Sequence, residues 1–158
     1  MTKLEYKRGF TLVEIMLAVI IIGMLAALLI PAYNLAIRSR QNAECSRKLR
    51  TAVDAFQLYA SEKGGYPAQQ AVGSTNVTEM DSYYFPYFKI NWWGNATELG
   101  GRWRWVVGYN GFDFAVAITA PGVSPTQLTD LDKMIDDGNL SAGLFRYDGT
   151  NSFFIIKE

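Results

Sequence analysis

The chain has 158 residues, room for one domain of ordinary size and a helical stalk. Fifteen basic and fifteen acidic residues cancel, so no overall electrostatic pull toward nucleic acid is expected. Histidine is absent, which excludes histidine metal ligands and histidine general bases. The single cysteine, Cys45, excludes an intrachain disulfide and reads as a small apolar helix residue.

The chain opens with a short polar stretch carrying Lys3, Lys7 and Arg8, then Gly9. From Phe10 to Ile30 only Thr11, Glu14 and Gly23 interrupt an apolar run, and Pro31 follows. As a helix, such a run crosses the roughly 30 Å hydrocarbon core of a bilayer. Glu14 is the anomaly, because a carboxylate inside a membrane segment is costly and marks a functional position whose partner must be found. A secretory signal peptide would have a shorter apolar core and a small-residue cleavage site after it. A plain signal anchor accounts for hydropathy and charge bias. Neither explains a glycine between the basic pair and the apolar run, with an acid five residues beyond it.

The run Lys7-Arg8-Gly9-Phe10-Thr11-Leu12-Val13-Glu14 resembles the class III leader of type IV pilins and type II secretion pseudopilins. The resemblance implies that a membrane peptidase cuts between Gly9 and Phe10 and that Phe10 becomes the methylated N-terminus. It also implies that Glu14 meets the new terminal amine of a neighbouring subunit and sets register during assembly. Both charges are costly in lipid alone and less so as a pair. The implied partners are other pilin or pseudopilin subunits, the prepilin peptidase, and an inner-membrane assembly platform driven by an ATPase. The implied location is the bacterial inner membrane, single pass, with an extracytoplasmic C-terminal domain that later joins a filament.

After Pro31, expected to kink the helix, the pattern turns amphipathic. Ile37, Cys45, Leu49, Ala52, Val53, Phe56 and Ala60 recur at three- and four-residue steps. Arg38, Arg40, Arg47, Lys48 and Arg50 alternate with Glu44 and Asp54 on what reads as a solvated face. Gly64-Gly65 stops a helix of about 80 Å that begins at Phe10. Tyr66-Pro67 then resembles the helix exit of pseudopilins. The absence of a disulfide departs from many pilus subunits and favours a pseudopilin or a disulfide-free minor pilin.

Residues 64–101 read as a connecting αβ-loop. Its dense aromatics, Tyr83 to Phe88 and Trp92-Trp93, are expected to cover the core or to touch another subunit. From Arg102 the period becomes two. Asn110-Gly111 lies between alternating runs, the strongest short-range hairpin signal. Ser124-Pro125-Thr126-Gln127 reads as a capping box opening a short helix to about Ile135. Asp148-Gly149-Thr150-Asn151 joins a second strand pair. The expected fold is α+β and pilin-like, with the long helix on a four-stranded antiparallel sheet. Its segments are a leader 1–9, a membrane or filament-core helix 10–31, an amphipathic continuation 32–63, the loop, and the sheet 102–158.

Asp130, Asp132, Asp136, Asp137 and Asn139 form the one dense acidic group. Hard oxygens suit calcium, for which Asp132, Asp136 and Asp137 are candidates, and some pseudopilins hold calcium in a C-terminal loop. Asp-Asp-Gly-Asn is equally an ordinary turn closing a helix, and the turn is the preferred reading; no cofactor is expected. The chain offers no phosphate-cradling loop, nucleophile elbow or acid–base pair, so it reads as the substrate of a peptidase and not as an enzyme. The leading expectation is a structural subunit of a type IV filament or secretion pseudopilus. The alternatives are a single-pass envelope protein displaying a ligand-binding domain, and a DNA-uptake pilin with the arginine face exposed.

Overall fold

The computed structural model describes residues 9–71 and 74–157, so the expected leader, 1–9, lies outside the described residues except for Gly9. Two compact units are present, Met1–Arg38 and Ser39–Glu158. The elements in chain order are α1 (Leu12–Lys63), α2 (Thr78–Asp81), α3 (Tyr84–Tyr87), β1 (Arg102–Tyr109), β2 (Phe112–Thr119), α4 (Pro125–Ile135), β3 (Phe145–Tyr147) and β4 (Asn151–Lys157). The expected α+β, pilin-like arrangement is the one observed, with the C-terminal part of α1 packed on a four-stranded antiparallel sheet.

In the first unit, α1 starts two residues later than the apolar run and continues through Pro31. No residue from Leu12 to Arg40 is buried. This segment is long and apolar enough to cross a membrane.

In the second unit, the stripe on α1 turns inward as the heptad-like spacing requires. Cys45, Leu49, Ala52, Val53, Ala55 and Phe56 are buried. Ala60 is only half-buried, and Asn42 and Ser46 join the buried face although they are polar. Lys48 departs from the expected solvated face. It pairs with Glu98 and lies 5.4 Å from the centroid of the Trp92 ring, so it fastens the connecting loop to the helix. Gly64 ends α1 as expected, its N–H donating to the Ala60 carbonyl at 3.0 Å.

The sheet order is β1-β2-β4-β3, all antiparallel. Asn110 and Gly111 both have positive φ, 49° and 85°, which is the type I′ geometry that matches strand twist. Tyr109 and Phe112 pair across that turn. The β3–β4 turn is built on Asp148, whose Oδ1 accepts the N–H groups of Thr150 at 2.8 Å and Asn151 at 2.7 Å. Since β4 inserts between β2 and β3, the chain must leave the sheet after β2, and α4 makes that connection.

The core is an aromatic stack. Phe56 lies parallel to Trp105 with centroids 4.0 Å apart, and meets Phe85 and Trp93 edge-on at 6.1 and 5.5 Å. The buried Gln70 accepts from the Trp105 N–H at 3.0 Å and from Trp93 Nε1 at 3.3 Å. Trp105 Nε1 donates to the Pro67 carbonyl at 3.0 Å. The loop is thus bolted to β1 by satisfied polar groups. Of the expected aromatic cluster, Tyr84, Phe85 and Trp93 are core, whereas Tyr83 and Tyr87 are exposed. Strict one-sided alternation does not hold in the sheet: Val106, Phe112, Ala115, Ala117, Phe153 and Ile155 form a second buried cluster. Tyr109 stacks on Phe153 at 5.1 Å and helps cover it.

Truncating Phe56 to Ala removes the ring at the centre of this stack, and a loss of about 3–5 kcal/mol is expected. Chemical denaturation of the full-length protein in detergent, followed by tryptophan fluorescence, reads that loss directly.

Candidate functional site at the N-terminal segment

The residues singled out by the sequence sit at the start of α1. Gly9 and Phe10 precede the helix in irregular backbone, and Phe10 is 84% exposed. Both residues are exposed, so this dipeptide is accessible to another protein. Thr11 immediately precedes the first helical residue, and Glu14 is the third residue of the helix. Glu14 Oε2 accepts the Thr11 N–H and the Thr11 hydroxyl, both at 2.8 Å. In return the Glu14 N–H donates to Thr11 Oγ1 at 3.3 Å. This is a reciprocal capping box.

The structure therefore supplies Glu14 with a local partner that the sequence reading missed. The signal was present, since Thr11-Leu12-Val13-Glu14 has the Ser/Thr-x-x-Glu spacing. Two otherwise orphaned donors at the helix start are satisfied, and a negative charge near the N-terminus suits the helix dipole. The hydrogen bonds ease the cost of the carboxylate without cancelling its charge.

Where a capping box was expected, at α4, only half of it forms. Ser124 Oγ accepts the Gln127 N–H at 3.3 Å, with Pro125 at the first helical position. The Gln127 side chain turns away from Ser124 and donates to Gln41 Oε1 at 3.2 Å and Asn42 Oδ1 at 3.3 Å. Asn42 Nδ2 donates back to the Gln127 carbonyl at 3.2 Å. The reason is burial: Asn42 and Gln127 are both covered, and each amide needs the other more than the solvated cap needs Gln127.

The arginine face is ordinary. Arg47 pairs with Glu44 at 2.6 Å, one face-to-face contact on the helix surface, and Arg50 donates to the Met134 carbonyl at 2.9 Å. Cys45 is fully buried, and burial pushes its thiol up to about 12, with the Glu98 carboxylate adding to the rise.

The acidic group at the end of α4 does not behave as one unit. Asp130 is exposed and pairs with Lys133 at 3.3 Å. Asp132, Asp136 and Asp137 bring carboxylate oxygens within 4.8 Å of one another, and Asp132 is fully buried. Asp137 Oδ1 accepts the Asn139 N–H at 2.8 Å, and Asp136 Oδ2 accepts the Leu144 N–H, so the expected turn is there as well. Burial, then the charges of Asp137 and Asp136, push Asp132 from its ordinary 3.8 to about 6; the Gly138 amide offsets part of this. A carboxyl raised on folding lends stability below its unfolded value, and loses it as the pH rises through about 6.

Residues 6–30 match the model of the prokaryotic N-terminal methylation motif. The chain is 34% identical over 79 residues to the fimbrial protein EcpC of Eikenella corrodens, covering 50% of this chain and 52% of that one. It is 35% identical over 97 residues to a fimbrial protein of Dichelobacter nodosus, covering 60% of each. A type IV major alpha-pilin of Moraxella bovis is 46% identical over 52 residues, 31% of this chain and 33% of that one. The chain thus spans about half the length of the curated relatives it matches. No solved structure is significantly similar to it.

Cys45 should resist thiol reagents in the folded protein and react stoichiometrically only after denaturation. Labelling of the native full-length chain with a maleimide, read by intact mass, tests this; rapid native labelling would place the thiol at the surface. The motif at the helix start, the likeness to fimbrial proteins over about half the chain, and the long helix on a four-stranded antiparallel sheet make this chain similar to type IV pilins.

Proposed function

We propose that the chain is a structural subunit of a type IV filament, assembled through the first half of α1 after removal of its leader. The observation that carries this reading is the uncovered apolar run from Leu12 to Ile30, headed by an acid at Glu14. Large apolar surfaces on water-soluble proteins are rarely left bare; a surface of this kind is covered by lipid or by other copies. The relatives support the same reading, since those matched are fimbrial proteins and not enzymes.

In this scheme a prepilin peptidase cuts between Gly9 and Phe10 and methylates Phe10. The new amine of Phe10 in one copy neutralises Glu14 in its neighbour. The subunit waits in the inner membrane as a single-pass protein, with residues 39–158 outside the cytoplasm, until an ATPase-driven platform adds it to the filament. Pro31 loosens one turn of α1, so that the apolar half can adapt its path as it moves from lipid into the filament. The lone buried Cys45 favours a member without the disulfide of many pilus subunits, so a secretion pseudopilus is the second reading of the same assembly chemistry.

Mass spectrometry of the protein from its native membrane should find a mature N-terminus at methylated Phe10. Glu14→Ala and Glu14→Val should insert and be cleaved normally, yet enter filaments at least about tenfold less, the effect of losing about 1.4 kcal/mol. A protein that keeps residues 1–9, or a Glu14→Val variant that polymerises like the wild type, would overturn the proposal.

A further inference from the structure

Alternation along β1 turns Trp103 and Trp105 toward α1 and leaves Arg102, Arg104 and Val106 on the other face of the sheet. On that face Arg104, Ala117 and Phe153 lie in one row across β1, β2 and β4. The row lines a cavity of about 260 Å³. Val106, Ala117 and Phe153, all buried, are its apolar floor, and the less covered Arg104, Tyr109 and Asn151 are its rim. Sites for drug-sized ligands enclose about 300–1,000 Å³, so this one suits a single ring.

Arg104 sets the charge of the ligand. It is half-buried, yet among the described residues no carboxylate pairs with it, nor with the exposed Arg102 two positions before it. A charge withdrawn from water is ordinarily paired. Asp148, which accepts the Tyr109 hydroxyl at 3.1 Å, is already answered by the N–H groups of Thr150 and Asn151. The Arg104 guanidinium therefore keeps its planar fork for an anion from outside, and one carboxylate matches both its shape and its single charge. The remaining lining indicates what carries that carboxylate. The Tyr109 ring lies 5.1 Å from the Phe153 ring, 28° from parallel, and is still 40% exposed. It is backed by a buried neighbour and presents apolar surface outward, on which the C–H face of a sugar ring can pack. Asn151 Oδ1 accepts the Ala120 N–H at 3.2 Å, which leaves Nδ2 to donate to a sugar hydroxyl. We infer that this pocket binds a uronic acid, a sugar ring bearing one carboxylate, of the kind that makes up acidic polysaccharides.

The pocket lies wholly within residues 39–158, so the inference stands apart from the filament proposal. The test uses the full-length chain in a polyoxyethylene detergent, which has no sugar headgroup to compete. Sodium D-glucuronate is titrated in and followed by saturation-transfer difference NMR. Saturable binding with a Kd of about 1 mM is expected for a ligand of this size. Methyl glucoside, which lacks the acid, and acetate, which lacks the ring, should each bind at least about tenfold more weakly. Arg104→Gln should weaken glucuronate binding by at least about tenfold, and Arg104→Lys should recover part of the loss. Arg102→Gln, outside the pocket, should leave the affinity within about twofold of wild type. No saturable glucuronate signal from the wild type would overturn the inference. So would an Arg104→Gln variant that melts and binds like the wild type, or equal binding of either comparison ligand.

Discussion

The constraint on which the rest depends is that one helix must suit two surroundings. Up to Arg40, α1 has no buried residue; from Asn42 onward, its inward face is almost fully covered. A helix that is apolar all round belongs in lipid or among other helices, and an amphipathic one belongs on a sheet. The change of character falls where the chain divides into its two compact units. Within the first unit no described residue from Leu12 to Arg38 is buried, and a bare apolar helix of this kind suits lipid or packing among other helices.

Holding the second half of α1 falls to a few strongly interacting groups more than to diffuse contact. Phe56 inserts into a ring of Trp93, Trp105 and Phe85, and such contacts exceed their area burial in worth by about 0.5–1.5 kcal/mol each. Around that stack, three polar fastenings fix orientation: Gln70 to Trp93 and Trp105, Gln127 to Gln41 and Asn42, and Lys48 to Glu98. Each joins elements far apart in the chain. The two amide fastenings pair groups that would be costly to bury alone. At the third, only one Glu98 oxygen meets Lys48, and Oε2 is buried without a hydrogen bond.

Features that depend on short-range chemistry were legible in the sequence. Alternation and Asn110-Gly111 sufficed for the β1–β2 hairpin, Asp148 to Asn151 for the β3–β4 turn, and Gly64 for the end of α1. Features decided by tertiary burial were not. Gln127 carries the capping-box spacing yet serves Asn42, and Lys48 looks solvated yet serves Glu98 and Trp92. Gln70 had no local signal at all, because its role exists only once β1 lies beside the loop. The acid cluster shows the same limit. An Asp-Asp-Gly-Asn turn can be read from spacing, but that Asp132 lies under the surface depends on how α4 packs.

At the head of α1 the two kinds of information meet. The Thr11–Glu14 capping box is local, and it satisfies hydrogen-bonding needs at the helix start within one chain. Hydrogen bonds from neutral donors stabilise a carboxylate but leave its net charge in place, and in a medium of low dielectric that residual charge still dominates the cost. The box also restrains the side chain, so Glu14 is held with its charge intact and its geometry defined. A cation arriving from a neighbouring chain would therefore find an ordered target and lose little entropy in meeting it. In the proposed assembly, Thr11 prepares the acid and the amine of the next copy completes it. The local cap and the intermolecular pair then act on one carboxylate in succession, and neither substitutes for the other.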